Sequence, residues 1–262
     1  MLSGRSNQSV IYWKGKVYSI GGNSANSVEY LDISTQKAVL LEGVLPGNLM
    51  TINAVIFNDK LLIMGGQNHT KSVWELNLGK SNSKWTKHSS LNIGRNSSSS
   101  AVLDGKIFLC GGYTKSADKI HYVKVFDGKR WTIEKEQMVV DQIIFSLFFY
   151  DSGQGQELYA VGGDPDMRQG YTTIQKRGKN TKKLTIITAL NEKRNECASC
   201  LVDSKIFLFG GIYDSNTFNY FDLVCMKWAS NDKDCRYYDG EMRKLPRSVI
   251  ISKAVLITPS ED

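Results

Sequence analysis

"KIFLCGG" at residues 106–112 recurs almost unchanged as "KIFLFGG" at 205–211. Looser copies stand at 16–22 ("KVYSIGG"), 60–66 ("KLLIMGG") and 157–163 ("ELYAVGG"). The first glycine of each pair falls at 21, 65, 111, 162 and 210, so the phrase returns every 44 to 51 residues. A period of that length marks a chain built from one supersecondary unit, each copy of which needs neighbours to bury its apolar face.

The residues around the phrase define the unit. Upstream lies a short apolar segment such as "SSSSAVLD" at 97–104, then a tight turn made by Lys14-Gly15, Asn58-Asp59, Asp104-Gly105 or Asp203-Ser204. Short β-branched and aromatic runs joined by such turns read as hairpins. Downstream of the glycines comes a polar loop and a strand mixing aromatic and acidic residues: "VEYLD" at 28–32, "KVFDG" at 124–128, "NYFDL" at 219–223. A further turn leads to Trp85, Trp131 and Trp228. Four strands per repeat, with no helical periodicity sustained over three turns, predict an all-β propeller of four-stranded blades. In that architecture the glycines permit positive φ and close backbone approach near the crowded axis. The tryptophans wedge between blades, burying about 150–250 Å² each.

Gly-Gly after an apolar strand, then Tyr-Asp or Phe-Asp, then Trp at this period, resembles the kelch repeat. The resemblance covers residues 5 to about 240 in five copies, at about 5–45, 49–92, 95–138, 142–190 and 194–240. Propellers of the Trp-Asp type share the period, but the chain contains no Trp-Asp dipeptide. Some repeats depart from the pattern. Repeat one has no tryptophan near Ala38, and repeat two carries Trp-Glu-Leu-Asn at 74–77. Repeat four replaces both features with "YTTIQKRGKNTKKL" and inserts "DSGQGQ" at 151–156. Residues 247–262 echo the opening strands, Lys253 matching Lys16, but Thr258-Pro259 stands where Gly-Gly would be. The expectation is a single domain over 1–262 with six blades, the last degenerate; a five-bladed ring with an appended hairpin is the alternative.

Composition narrows the function classes. With 41% hydrophobic and 23% charged residues, the chain reads as globular. The longest apolar run, "IIFSLFFY" at 143–150, is too short to span a bilayer as a helix. The first residues lack a charged-then-apolar leader pattern, and the five cysteines are odd in number and irregularly spaced. A cytoplasmic or nuclear location with reduced thiols is expected, with no sugar on the sequons at Asn7, Asn68 and Asn96. The formal net charge of +7 favours acidic partners.

No catalytic, metal or cofactor set is expected. The histidines, His69, His88 and His121, fall at non-equivalent repeat positions, and no Glu-x3-Asp-x3-His pattern occurs. Cys197 and Cys200 align with Ser98 and Ala101 on a first strand, where residues three apart point to opposite faces. They read as small packed thiols rather than half of a zinc site. The run "KRGKNTKK" at 176–183 lacks interleaved aromatics and reads as a solvated outer edge, not a nucleic-acid surface.

One polar set emerges when the glycines are used as a ruler. Sixteen residues before the first glycine stand Arg5, Arg95 and Arg194, and Arg247 falls close to the same place before the partial sixth repeat. The position lies in the loop entering the first strand, which in kelch domains emerges on the face where partners dock. Two readings are open. The guanidiniums rim the channel mouth and bind carboxylates or phosphates bidentately, or they bind loop carbonyls and tie blades together. Loops after Gly-Gly share that face, with Asn23, Gln67, His69, Tyr113, Asp164, Tyr213 and Asn216 as candidate contacts. The resemblance implies a non-catalytic protein-interaction module binding a partner protein or an acidic or phosphorylated peptide, with no nucleic acid and no membrane. Cullin-3 ubiquitin-ligase substrate recognition is an implied role if a BTB domain is present elsewhere. An actin-binding scaffold and a sugar-isomerase-type enzyme with a central pocket are the alternatives.

Overall fold

The computed structural model describes residues 2–228, except 3, 24, 42–44, 48, 68–70, 117, 119, 138–144, 163–170, 178–182, 194–196 and 212–217. The first blade is an antiparallel meander of β1 (Ser9–Trp13), β2 (Lys16–Ile20), β3 (Val28–Asp32) and β4 (Lys37–Leu41). The second repeats it with β5 (Asn53–Phe57), β6 (Lys60–Met64), β7 (Val73–Asn77) and β8 (Thr86–Lys87). In the third stand β9 (Ser99–Leu103), β10 (Lys106–Cys110), β11 (Tyr122–Phe126) and β12 (Trp131–Gln137). The fourth has longer strands, β13 (Phe145–Asp151), β14 (Gln156–Gly162), β15 (Tyr171–Arg177) and β16 (Leu184–Lys193). The fifth comprises β17 (Ala198–Val202), β18 (Lys205–Phe209), β19 (Phe218–Asp222) and β20 (Lys227–Trp228).

The first strands meet in chain order, β1 beside β5, β5 beside β9, β9 beside β13 and β13 beside β17. They are the inner strands of a β-propeller, and five blades stand among the described residues. The segment 247–262, expected to begin a sixth blade, lies outside the described residues. Among the described residues there is no helix long and apolar enough to cross a membrane.

Side-chain alternation along each strand sends apolar groups into the gaps between blades. Tyr18, Ile20 and Val28 of blade one pack with Leu61, Ile63 and Leu76 of blade two. Val55, Phe57 and Met64 meet Ile107, Leu109 and Phe126 across the next gap, with the Phe57 and Phe126 rings edge to face at 5.8 Å. Phe108 and Val125 meet Leu147 and Leu158, and Tyr159 and Ile174 meet Ile206 and Leu208. The tryptophans act as inter-blade wedges: Trp85 packs into the first gap, Trp131 into the second and Trp228 into the fourth. The Trp228 indole N–H also donates to Thr188 Oγ1 of the preceding blade at 3.0 Å.

Both glycines of the described pairs have positive φ, for example 63° at Gly111 and 85° at Gly112. The second glycine runs against the loop entering its own blade: a Cβ on Gly112 would lie 2.3 Å from the Asn96 carbonyl oxygen. Gly112→Ala therefore combines a clash with a disfavoured backbone conformation. It is expected to destabilise the protein by more than about 1 kcal/mol, read as a lower urea midpoint at unchanged slope. An unchanged midpoint would refute the packing role.

The Cys-x-x-Cys pair behaves as packed side chains. Cys200 opposes Phe207 as Ala101 opposes Phe108. Cys200 is buried and Cys197 half-buried against the fourth gap.

Candidate functional site

The loops entering β1, β5 and β9 converge where the inner strands begin, and their backbones interlock. Fourteen residues before the first glycine stand Asn7, Thr51 and Ser97, each left-handed with φ of 56°, 53° and 49°. Thr51 N–H donates to the Asn7 carbonyl at 3.1 Å, and Ser97 N–H to the Thr51 carbonyl at 3.3 Å. A second tier runs outside it: Gly22 N–H donates to Leu49 O at 2.9 Å, and Gly66 N–H to Arg95 O at 3.2 Å. Backbone bonds thus join blade one to two and blade two to three, and a left-handed residue at that point costs some strain held by its neighbours.

This interlock positions the loops after Gly-Gly. Asn23 N–H donates to Ser6 O at 2.7 Å, Gln67 N–H to Met50 O at 3.2 Å, and Tyr113 exchanges a pair of bonds with Asn96. With the backbones fixed, the side chains of Gln67 (exposed) and of Asn23 and Tyr113 (half-buried) are presented on one face. Asn7 Nδ2 donates to Asn23 Oδ1 at 3.3 Å, joining two loops of the first blade. A separate groove of about 540 Å³, lined by Lys16, Tyr30, Leu40 and residues 76–83, opens at the opposite end of the strands.

The arginines do not belong to that face. The Arg5 side chain has no exposed surface; its Nη1 donates to the carbonyls of Gly21 at 3.2 Å and Ser27 at 3.1 Å. Its Nη2 donates to Ser27 Oγ at 3.1 Å and forms an ion pair with Glu29, which is equally buried. Arg95 is fully buried, with Nη1 donating to Gly111 O at 3.1 Å and the guanidinium 5.2 Å from the centre of the Tyr122 ring. The rim-of-the-channel reading is corrected for Arg5 and Arg95. Their stems are long enough to turn back to the glycine strand and third strand of their own blade, where backbone carbonyls accept from them. The carbonyl-binding reading describes both, acting within a blade rather than between blades. Arg194, Arg247, His69, Asp164, Tyr213 and Asn216 lie outside the described residues.

What sequence reasoning missed is the buried polar position on the third strand, which in blade one supplies the partner of Arg5. The register places Glu29 opposite Ser19, Lys124 opposite Leu109, Gln175 opposite Ala160 and Asn219 opposite Leu208. Each opposes the residue two before the first glycine, and each is buried. A polar residue between aliphatic or aromatic neighbours, as in "VEY", "VKV" and "FNY", was the available clue.

Burial shapes the chemistry of the third blade. It pushes the Cys110 thiol up to about 12, too high for a reactive thiolate at neutral pH. It pulls the Lys124 ammonium down to about 8, aided by the nearby Arg95 charge. Burial also lowers Arg95 below the ordinary arginine range. The basic run at 176–183 begins with committed cations: Lys176 pairs with Glu157 at 2.8 Å and Arg177 with Glu134 at 2.7 Å. Among the described residues no cluster of three His, Cys, Asp or Glu side chains is placed to hold a metal ion.

Fold and site together define a β-propeller whose inter-blade loops form a fixed polar face. Comparison with models of known protein families and with curated proteins gives no match for this chain.

Proposed function

We propose that the chain is a kelch-type propeller acting as a non-catalytic protein-interaction module, its partner docking on the face formed by the loops after Gly-Gly. The observation that carries this reading is the backbone interlock. It fixes the frame, while the residues it presents, Asn23, Gln67 and Tyr113, differ from blade to blade. Rigid scaffolds with variable polar and aromatic loops suit recognition, since little ordering entropy is lost on docking. With Arg5 and Arg95 turned inward, preference for an acidic partner rests on the net charge of +7.

The test is capture from an extract of the source cells by immobilised chain, with the captured protein then purified and titrated. Asn23→Ala, Gln67→Ala and Tyr113→Ala combined should weaken binding about tenfold or more, Tyr113 contributing most. Lys129→Ala with Arg130→Ala, in the exposed turn between β11 and β12, should leave it unchanged. Retention by the triple variant, or failure of the wild-type chain to retain any protein specifically, would overturn the proposal.

A further inference from the structure

Blades one and three solve the same position differently. In blade one the arginine meets Ser27 and Glu29, and a carboxylate neutralises the buried guanidinium. The register makes Tyr122 the counterpart of Ser27 and Lys124 the counterpart of Glu29. Blade three therefore places a second cation where blade one places its anion. Arg95 and Lys124 are both 0% exposed. Among the described residues, Arg95 Nε and Nη2, Lys124 Nζ and the Tyr122 hydroxyl have no hydrogen-bond partner of good geometry, the Tyr122 hydroxyl being the one acceptor close enough to act on the Arg95 guanidinium. Glu134, the carboxylate that acts on the neighbouring Cys110, is committed to Arg177 of blade four.

Four buried donor atoms without an acceptor, on two cations without a counter-charge and a tyrosine, call for an anion, because an isolated buried charge is far costlier than a paired one. We propose that a chloride ion occupies this place in blade three, held by Arg95, Lys124 and the Tyr122 hydroxyl. Its size follows from blade one, where single carboxylate oxygens fill the corresponding space: Glu29 Oε1 receives Arg5, and Oε2 accepts from Leu2 N–H at 2.8 Å. A spherical monovalent ion accepts from donors converging at any angle, as three different side chains require.

The full chain, purified in sodium gluconate, tests this. Chloride or bromide added at matched ionic strength should raise the thermal midpoint in a saturable way, and chloride NMR lines should broaden and sharpen again on bromide competition. Lys124→Glu recreates the pair of blade one; it should raise the midpoint in gluconate and abolish the halide response. Lys124→Met, which removes one cation without adding an anion, should weaken halide affinity by about tenfold or more and serves if the glutamate variant fails to fold. Equal midpoints in gluconate and chloride for the wild-type chain, or an undiminished halide response in the variants, would overturn the proposal.

Discussion

Arg5→Ala is expected to lower the unfolding free energy by about 3–5 kcal/mol, the range for removing one partner of a buried ion pair. The substitution leaves Glu29, only 3% exposed at its side chain, without the cation that balances it. It also strips a donor from the carbonyls of Gly21 and Ser27, the first at the glycine pair and the second just before the third strand. Replacing a solvent-exposed arginine at the same place would cost within about 0.5 kcal/mol, so the measurement separates the two roles. Replacing both partners, Arg5→Met with Glu29→Leu, should recover most of the loss, since the cost arises from a stranded charge rather than from a missing attraction. Urea midpoints for the four proteins of that cycle give the coupling directly. A single-variant loss below about 1 kcal/mol would show that the pair does not hold the blade.

The architecture was legible because it rests on backbone demands that only particular residues meet. Gly-Gly recurs where two successive positive φ values coincide with a close approach to the incoming loop, so its spacing measured the blade and located its first hairpin. The tryptophans were legible for a similar reason, since few residues fill the gap between outer strands. The arginines were located but misdirected. Spacing tells where a Cα lies on the ring, whereas a side chain with four rotatable bonds goes where its charge is met. What meets it stands on the third strand, across a loop whose length varies between repeats, and that strand was read for its aromatic-acid pattern alone. The interlocking of Asn7, Thr51 and Ser97 was not legible at all, because three unlike residues share one left-handed backbone state.

Lys124→Met is expected to stabilise the protein at neutral pH and to flatten its stability in alkali. Folding buries the ammonium beside Arg95 and pulls it from 10.5 to about 8, so the native state disfavours the charged form. Below pH 8 both folded and unfolded chains carry the proton and the whole penalty is present. Between about 8 and 10.5 the unfolded chain holds more protons than the native one, so native stability rises with pH; above 10.5 both are neutral and the penalty is gone. The full gain is at most about 3–4 kcal/mol, each pH unit of displacement being worth about 1.4 kcal/mol. The group acting on Lys124 is the Arg95 guanidinium, which lies over the Tyr122 ring; Cys110 interacts with Arg95 and stays protonated through this range. Tyr18 and the other alkaline groups titrate alike in both proteins, so the difference between wild type and variant isolates Lys124. Denaturant titrations in gluconate at pH 7 and pH 10 should show the variant ahead at pH 7 and the gap closing by pH 10. A gap independent of pH would mean that Lys124 finds a counter-charge in the folded chain. Repeating the series in chloride then separates the two effects. A bound anion restores the proton to Lys124, and the alkaline rise should shift upward in pH for the wild-type chain alone.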